Sequence, residues 1–358
     1  MIFIPQFFKT LISLIFYLID IVTYFFSKLT GKKINIEKIL LVNLGALGDS
    51  IIFLNALLQI DKNHQIVALI DSSSKTIFEQ IDMEFYHIDR KKYIKNIFYR
   101  ILINLRFGRY KFIKVINMRG SRNGIYEDSI IRFVGGEKYA LLSEYEQNSA
   151  LSLKVYDYLN YDTLIQYDLK NNIHEISRIN ILLNKALNID LSLKILDFTN
   201  YYQKILSNRL VDKKYFVLHV GAGKSFRKWN INKFIELGNL IEKKFNLIPV
   251  YCGLEQDRIN IKNAKIKVSR SSLNLCGKTS ILNVMNLIKY SSLNICNDSA
   301  NAHMSVFFSR STIVIKSRFH QDRFFPYPKN FSLNHIEVLA ANDINDILVD
   351  DLIKLISL

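Results

Sequence analysis

Short apolar runs alternate with longer amphipathic stretches from about residue 38 to the C-terminus. The short runs have the length and branched composition of buried strands, and the longer stretches repeat apolar residues at helical spacing. The predicted strands are Lys38–Leu44, Ile66–Ile70, Phe112–Asn117, Lys138–Leu142, Tyr215–His219, Leu247–Cys252, Leu293–Cys296 and Ser311–Ile315. The predicted helices are Ser50–Ile60, Lys92–Leu105, Asn123–Phe133, His174–Ala186, Ile231–Lys244, Ile281–Ile288 and Ile344–Ile356. Such alternation predicts parallel sheets, so the fold class is α/β, with two doubly wound domains in tandem.

The polar stretch Tyr201–Lys213 carries no strand pattern and separates the two halves. We therefore predict Rossmann-like domains over residues 34–205 and 206–340, preceded by an amphipathic, membrane-associated helix over residues 1–33. Residues 341–358 form a C-terminal helix for which Asn342 is the predicted N-cap.

Residues 2–29 are mostly Phe, Ile and Leu, but their polar residues recur at steps of three and four. These polar residues, which fall on one narrow stripe of a helix, are Gln6, Thr10, Ser13, Tyr17, Asp20, Tyr24 and Ser27. A signal peptide is disfavoured because a basic start and a cleavage site are missing. We favour a helix lying in the membrane interface, with Lys28, Lys32 and Lys33 near anionic head groups, over a membrane-spanning helix. The further alternative is a helix packed on the protein's own surface. Either membrane interpretation leaves the body of the protein on the cytoplasmic side.

The composition is that of a globular protein, with 49% hydrophobic and 22% charged residues. A net charge of +16 favours nucleic acid, an anionic membrane or a phosphorylated substrate as partner. We expect no nucleic-acid partner, because no nucleic-acid-binding motif is present. Three cysteines without a C-x-x-C pair indicate a reducing compartment and argue against a disulfide or zinc framework.

Two turns that follow predicted strands combine small residues with an acid: Leu44–Asp49 and Asn297–His303. Turns at the carboxyl ends of parallel strands bind ligands in open α/β sheets, where the next helix offers free N–H groups. Asp49 either caps its helix or acts as a general base. Asp298 either caps its helix or accepts from a ligand, and His303 is either a surface residue or a donor to that ligand. The glycines of the first turn are spaced G-x-x-G, which excludes a dinucleotide fingerprint and with it an NAD-dependent oxidoreductase.

A third segment, His219–Trp229, passes from a strand into small residues and then into three cations around an aromatic side chain. Small residues allow a diphosphate to approach the backbone, and Lys224, Arg227 and Lys228 can neutralise it. The alternative is a solvated basic loop. For Trp229 we favour a packing anchor over a platform on which a base stacks. A fourth segment, Cys276–Ser280, is a turn that opens a helix capped by Thr279 or Ser280.

In order and register, these segments resemble glycosyltransferase family 9, whose best-known members are ADP-heptose:lipopolysaccharide heptosyltransferases. Gly45–Asp49 matches the family's S-x-x-G-D type turn, and His219–Trp229 matches its H-P-G-A…K-R-W type segment. Leu275–Ser280 and Asn297–His303 match L-x-G-K-T-S and N-D-S-G-x-x-H, and Asn117–Ser121 approximates a D-x-x-G type segment. The resemblance extends from about Lys38 to the C-terminus.

The resemblance implies a GT-B architecture, in which two Rossmann-like domains face a central cleft with the acceptor on the first and the nucleotide sugar on the second. Asp49 then takes the proton from the acceptor hydroxyl, and Gly48, Arg119 and Arg122 bind the acceptor. For Arg119 and Arg122 the alternative is ordinary solvation at the surface. The implied donor-binding residues are Gly221, Ala222, Gly223, Ser225, Arg227, Lys228, Glu255, Lys278, Asp298, Ser299, Ala300 and His303. We expect no metal and no cofactor, a nucleotide sugar such as ADP-heptose as co-substrate, and a glycolipid or polysaccharide acceptor at the cytoplasmic face of the inner membrane.

The chain departs from the family pattern at four positions: Val220, Arg227, Ala300 and Asn301. These changes leave the fold and the phosphate role intact but affect the turns that contact the donor. Two alternatives therefore stay open: a different nucleotide sugar used in capsule or O-chain synthesis, or a membrane-surface protein that binds a nucleotide sugar without turnover.

Overall fold

The computed structural model describes residues 6–29, 33–120, 122, 125–142, 160–167, 173–198, 210, 214–308, 310–318, 323–328 and 336–356. The chain divides into two compact units, Met1–Leu193 and Lys194–Leu358. The sequence prediction places the boundary between residues 205 and 206, within a polar stretch that lies outside the described residues except for Leu210.

Unit 1 is built on a parallel sheet of six strands in the order β3-β2-β1-β4-β5-β6. Its strands are β1 (Ile34–Asn43), β2 (Ile66–Asp71), β3 (Phe85–Ile88), β4 (Tyr110–Asn117), β5 (Gly135–Leu141) and β6 (Thr163–Ile165). Buried aliphatic and aromatic side chains of β1, β2, β4 and the flanking helices form its core, as expected for strands covered on both faces.

Unit 2 repeats this design in the order β12-β11-β10-β7-β8-β9, again with parallel pairing. Its strands are β7 (Tyr215–His219), β8 (Ile248–Cys252), β9 (Leu273–Asn274), β10 (Asn294–Asn297), β11 (Thr312–Ser317) and β12 (Ile336–Ala341). If its strands are counted from β7, their relative order is the same as in unit 1. The predicted α/β fold with two doubly wound sheets is therefore confirmed.

The strands that sequence patterning missed are all at sheet edges: β3, β6, β9 and β12. Two of them are very short, with three residues in β6 and two in β9. An edge strand is covered less completely than a central one, so it needs no continuous apolar run. In β3, for example, only Ile88 is fully buried.

Helices cover the sheets. The described helices are α1 (Gln6–Leu29), α2 (Leu47–Leu57), α3 (Lys75–Phe78), α4 (Arg90–Lys95), α5 (Ile97–Gly108), α6 (Glu127–Phe133), α7 (Glu175–Leu187), α8 (Ile231–Phe245), α9 (Glu255–Lys262), α10 (Ile281–Lys289), α11 (Ala300–Phe307) and α12 (Val349–Leu355). Ser280 is the N-cap of α10, since its side chain accepts from the amide of Asn283. This settles the choice between Thr279 and Ser280.

Two helix predictions are wrong in detail. The predicted helix Lys92–Leu105 is divided into α4 and α5 because Asn96 leaves the helical conformation and its side chain accepts from the amide of Tyr99. The predicted C-terminal helix begins only at Val349, after a 3₁₀ turn. Asp343, not Asn342, caps that turn, because its carboxylate accepts from the amide of Asn345.

From Tyr17 to Ser27, the polar stripe of α1 faces the body of unit 1. Asp20 is fully buried and forms an ion pair with Arg100 of α5, with 2.7 Å between Asp20 Oδ2 and Arg100 Nη2. Asn104 Nδ2 donates to Asp20 Oδ1 at 2.9 Å, and the hydroxyl of Ser129 also donates to Asp20. The Phe16 ring lies against the Arg100 guanidinium, with 4.7 Å from Arg100 Cζ to the ring centre.

Among the described helices, none has both the length and the hydropathy that crossing a membrane requires.

We expect Asp20→Ala to lower the free energy of unfolding by about 3–5 kcal/mol, because Arg100 would stay buried without its counter-charge. Urea unfolding followed by circular dichroism, with hydrogen exchange of α1 and α5, measures this. Asp82→Ala, which removes an exposed carboxylate from the same unit, is the control. The double variant Asp20→Leu/Arg100→Met should lose less stability than the two single changes together. A loss no larger than that of the control would show that the ion pair does not hold α1.

Candidate active site

The strand order of unit 1 reverses between β1 and β4, which are neighbours although β2 and β3 separate them in the chain. Connections that leave the carboxyl ends of two such strands run to opposite faces of the sheet and open a crevice between them. Asp49 lies in the first turn of α2, which follows the loop after β1, and Arg119 lies in the loop after β4. The register places Val42 beside Asn117, so these loops begin at the same level of the sheet.

Asp49 is the third residue of α2, and its carboxylate is held by two donors. The amide of Ala46 donates to Asp49 Oδ2 at 2.9 Å, and Arg119 Nη1 lies 2.7 Å from the same oxygen. The start of a helix and a guanidinium both favour a negative charge. The carboxylate therefore lies, partly exposed, at the mouth of the crevice.

Gly45 is needed for this arrangement because the chain approaches itself closely there. A Cβ atom on Gly45 would lie 2.5 Å from Asp49 Cβ and would also collide with the Arg119 guanidinium. The side chain of Asn43 completes the turn, since its Oδ1 accepts from the amide of Gly45 at 2.8 Å. Gly48, predicted to contact the acceptor, is the second residue of α2 and lies beside Asp49 in the same turn.

Arg119 connects Asp49 to a second carboxylate, with 3.6 Å between Arg119 Nε and Glu127 Oε1. Burial alone would lower the pKa of Arg119, but the charges of Asp49, Glu127 and Glu175 outweigh it and raise the pKa. Burial raises the pKa of Glu127, and Arg119 opposes that shift. The Arg119 guanidinium thus lies within the field of three acids.

Arg122 lies elsewhere in unit 1. Its side chain is fully buried, with 2.8 Å from Arg122 Nη1 to Asp128 Oδ1, and Nη2 donates to the carbonyl of Leu141 at 3.2 Å. The Tyr161 ring covers the guanidinium at 4.7 Å. This placement does not support the predicted contact of Arg122 with an acceptor, because the group is committed to the interior.

Unit 2 has the equivalent reversal between β7 and β10, which pair directly, with Cys296 beside His219. Asn297, the last residue of β10, holds the loop that follows β7. Its Nδ2 donates to the carbonyl of Val220 at 2.9 Å, and its Oδ1 accepts from the amide of Trp229 at 3.0 Å. One buried amide therefore fixes both ends of the small-residue loop at this crevice.

The loop after β7 carries the predicted phosphate-binding residues. Gly221 is buried, Ala222 is half-buried, and Gly223 is exposed with open space around it. The 3₁₀ turn Ser225–Arg227 follows, and Trp229 is buried, with its indole N–H donating to the carbonyl of Ile347 at 3.0 Å. Its predicted role as a packing anchor is confirmed.

Lys228 is oriented by an acid that the sequence prediction omits. Its Nζ lies 3.0 Å from Oδ1 of Asp257, a buried residue near the start of α9. The amide of Leu254 donates to the other oxygen of Asp257 at 2.9 Å. A Cβ atom on Gly221 would lie 2.8 Å from Asp257 Oδ2, so this glycine is needed for the close packing of the loop on α9.

The loop after β10 brings together the other predicted donor-binding residues. Asp298 is buried, and its amide donates to the carbonyl of Ile315 at 3.0 Å. Ser299 is the N-cap residue of α11, and among the described residues its buried Oγ has no hydrogen-bond partner. Ala300 begins the helix. His303 is buried one turn later, where its Nδ1 lies 2.9 Å from the Tyr327 hydroxyl.

Glu255 and Lys278 lie at the carboxyl ends of the next strands, β8 and β9. Both are exposed, and Glu255 forms an ion pair with Arg258. The hydrogen bond from Arg258, with help from Lys278, lowers the pKa of Glu255. A Cβ atom on Gly277 would lie 2.8 Å from the Cα of Glu255, so the two loops are in close contact.

The sequence prediction assigned no role to Asp257, Glu127 or Glu175, and it placed Asn297 in a ligand-binding turn without a role of its own. The sequence did contain a signal for Asp257. Like Asp49, it is an acid three residues after the N-cap of a helix that follows a strand. The roles of Asn297 and Glu127 depend on contacts between segments far apart in the chain, for which the sequence carries no local signal. Among the described residues, no group of three or more His, Cys, Asp or Glu side chains could hold a metal ion; the absence of a metal stays a prediction.

Comparison with solved structures supports the class of fold defined by these two sheets. The E. coli heptosyltransferase WaaC, solved with ADP-2-deoxy-2-fluoro heptose, superposes with a TM-score of 0.66 at 14% identity, covering 89% of this chain and 98% of WaaC. A glycosyltransferase family 9 protein of Veillonella parvula gives 0.65 at 14% identity, covering 90% and 96%. The ADP-heptose lipopolysaccharide heptosyltransferase II of E. coli gives 0.63 at 12% identity, covering 88% and 96%. The fold is thus a two-domain, GT-B-like α/β fold.

The family follows from the sequence itself. The profile of glycosyltransferase family 9 (heptosyltransferase) matches residues 150–341, more than half of the 358-residue chain. The chain therefore belongs to glycosyltransferase family 9, and it is a glycosyltransferase. The matched residues include the loops after β7 and β10 but not Asp49. Curated protein sequences give no significant match.

His219, at the end of β7, provides a test of the second crevice. Burial lowers the pKa of His219 from 6.5 to about 4. Between these values the unfolded chain binds a proton that the folded chain does not, so stability falls as the pH falls from 6.5 to 4. The slope from one such group is at most about 1.4 kcal/mol per pH unit.

We expect urea unfolding of unit 2 to weaken over this pH range, and His219→Gln to remove part of that dependence. Fluorescence of Trp229, the only tryptophan of the chain, reports unit 2 selectively. His64→Gln in unit 1 is the control. Equal pH dependence in the wild type and His219→Gln would show that His219 is not held neutral in the fold.

Proposed function

We propose that this glycosyltransferase moves a heptose-like sugar from a nucleoside diphosphate donor to a hydroxyl group of a lipopolysaccharide-type or other surface-glycan acceptor. The position of Asp49, whose carboxylate is held at the crevice of unit 1 by Arg119 and the amide of Ala46, carries the proposal. The donor class is supported by the solved relatives, since structures of WaaC contain ADP or an ADP-heptose analogue.

On the acceptor side, Asp49 accepts the proton of the acceptor hydroxyl while the hydroxyl oxygen attacks the anomeric carbon of the donor sugar. The bond from that carbon to the diphosphate oxygen breaks at the same time, and the nucleoside diphosphate leaves. Such transition states have the character of an oxocarbenium ion, which a nearby carboxylate also stabilises. Arg119 orients Asp49 and, being a cation at the crevice, also suits a phosphorylated acceptor.

On the donor side, the charge of the leaving diphosphate increases during the reaction. The small residues of the loop after β7 let a diphosphate approach backbone amides, and the start of α11 near Ser299 supplies a positive dipole end. Arg227 and Lys228 add full positive charges beside that loop. In this proposal these groups neutralise the leaving group, so no metal or other cofactor is required.

Asp298 and His303 complete the proposed donor site. Asp298 follows β10 directly, where its carboxylate is suited to accept hydrogen bonds from sugar hydroxyls. His303 is positioned by Tyr327 and lies 4.7 Å from the Phe325 ring, in a stacked arrangement. Glu255 is exposed beyond β8, where we place the ribose of the nucleotide.

We expect Asp49→Asn to lower kcat by about 10²–10⁴-fold, because the amide cannot accept the proton, while donor affinity stays within about twofold. Release of ADP from ADP-heptose in the presence of a lipopolysaccharide-core acceptor measures turnover, and calorimetric titration with ADP measures binding.

The matched control is Asp82→Asn, the same change at an exposed carboxylate of unit 1. Wild-type turnover in Asp49→Asn would refute the assignment of the base. If the wild type released no nucleoside diphosphate from ADP-heptose, a panel of other nucleotide sugars would test the donor separately.

We expect Lys228→Met to weaken ADP binding about tenfold, since one charge-assisted hydrogen bond to the diphosphate is lost. The same change leaves Asp257 without its cation, so it also lowers stability. The double variant Lys228→Met/Asp257→Asn removes this loss of stability, because the amide at position 257 carries no charge.

If ADP affinity stays low in the double variant, Lys228 contacts the diphosphate directly. Recovery of affinity would contradict this and would leave Lys228 with a structural role. Lys243→Met, at an exposed lysine of α8, controls for the loss of one positive charge.

A further inference from the structure

The solvent-facing sides of α1 and α5 carry a continuous set of large apolar side chains. We call this set the α1–α5 face; it consists of Ile15, Leu18, Val22, Phe25 and Phe26 on α1 and Phe98 and Leu102 on α5. Ile15, Leu18, Val22 and Phe25 recur at steps of three and four, and Phe26 lies four residues after Val22, so all five share one side of the helix. Phe98 is 84% exposed, and Phe25 and Leu102 are each 64% exposed.

The two helices lie side by side and run in the same direction. Asp20 contacts Arg100 and Asn104, and a Cβ atom on Gly108 would lie 3.3 Å from Cβ of Ser27. These contacts occupy the inward sides of both helices. The apolar stripes consequently lie next to each other on the outward side, as one patch and not as scattered residues.

The polarity of α1 is inverted relative to an ordinary surface helix. Its inward side contains the fully buried Asp20, and its outward side contains exposed phenylalanines. Single exposed apolar residues are common, but a contiguous apolar patch on a protein surface marks an interaction site. The buried ion pair with Arg100 holds the helix in this orientation, so the apolar side cannot turn inward without breaking it.

Positive charge borders the patch. Residues 90–114 contain nine Lys and Arg and neither Asp nor Glu. Exposed Lys91, Lys92 and Lys95 precede Phe98, and exposed Arg106 and Arg109 follow Leu102. Aromatic and aliphatic side chains bordered by cations are the composition of surfaces that lie in the interface of anionic membranes.

We propose that the α1–α5 face docks on the surface of an anionic lipid bilayer, with its apolar side chains at the boundary of the acyl chains and the flanking cations at the head groups. A second copy of the chain is a poorer occupant, because pairing this face with itself would bring like charges together. The helix lies on the bilayer, since its inward side is bound to unit 1 through Asp20. This inference is independent of the proposed reaction.

Flotation of the full-length protein with phosphatidylcholine vesicles, with and without phosphatidylglycerol, tests the proposal. We expect binding to the anionic vesicles, weakened by salt. Phe25→Ser/Phe98→Ser should reduce this binding at least about tenfold through lost apolar burial. The matched control, Leu240→Ser/Leu348→Ser, changes two exposed leucines of unit 2 and should bind like the wild type.

A second pair of variants tests the charge. Lys91→Gln/Lys92→Gln/Lys95→Gln should weaken binding to the anionic vesicles at least about tenfold. Lys243→Gln/Lys244→Gln/Lys262→Gln, which removes three exposed lysines of unit 2, should not. Neither lysine set is part of the proposed active site.

The proposal is overturned if Phe25→Ser/Phe98→Ser, shown to be folded by circular dichroism, floats as the wild type does. It is equally overturned if the wild type does not bind anionic vesicles but forms a dimer through this face. Sedimentation would show such a dimer in the wild type and its loss in Phe25→Ser/Phe98→Ser. Transfer to a soluble acceptor should be unchanged in that variant, so failure of the docking proposal and failure of the proposed reaction are distinguishable.

Discussion

The direct pairing of β1 with β4, and of β7 with β10, is the constraint on which both crevices depend. Each pair joins strands that are distant in the chain and whose connections leave toward opposite faces of the sheet. Backbone hydrogen bonding between them brings Asp49 next to Arg119 in unit 1. In unit 2 it brings Asn297 within reach of Val220 and Trp229. Without these pairings, the same loops would be ordinary strand-to-helix turns.

In both units, an acid in the first turn of a helix holds a cation near the crevice. Asp49 and Asp257 are each the third residue of a helix, and each accepts from a backbone amide just before that helix. Each then pairs with a cation from another loop, Arg119 or Lys228. The acid is fixed by local geometry, so the flexible cation is oriented at a lower cost in conformational entropy. Glycines beside these acids allow the loops to approach closely enough.

The face of α1 that packs inward could not be read from its pattern. The spacing of its polar residues predicted a stripe, and the structure does group Tyr17, Asp20 and Tyr24 on one side. Polar stripes normally face water, and only Arg100, supplied by α5, makes the inward orientation favourable. A buried charge is tolerated when a partner and further hydrogen bonds surround it. The sequence therefore left open whether the stripe faced water, a membrane or the protein.

Local patterning alone predicted the central strands, the alternation of strands and helices, and the turns of the site that combine small residues with an acid. These features depend on short-range periodicity and backbone geometry. The failures of local patterning have physical causes: edge strands are half-covered, and Asn96 interrupts a helix by a local side-chain bond. The ion pair of Arg122 with Asp128 is a further contact that local patterning does not reveal. Tertiary structure alone decided which acid meets which cation, and that Asn297 holds both ends of the loop after β7. These outcomes depend on which strands pair, and pairing is set by the packing of the whole sheet, which no single segment encodes.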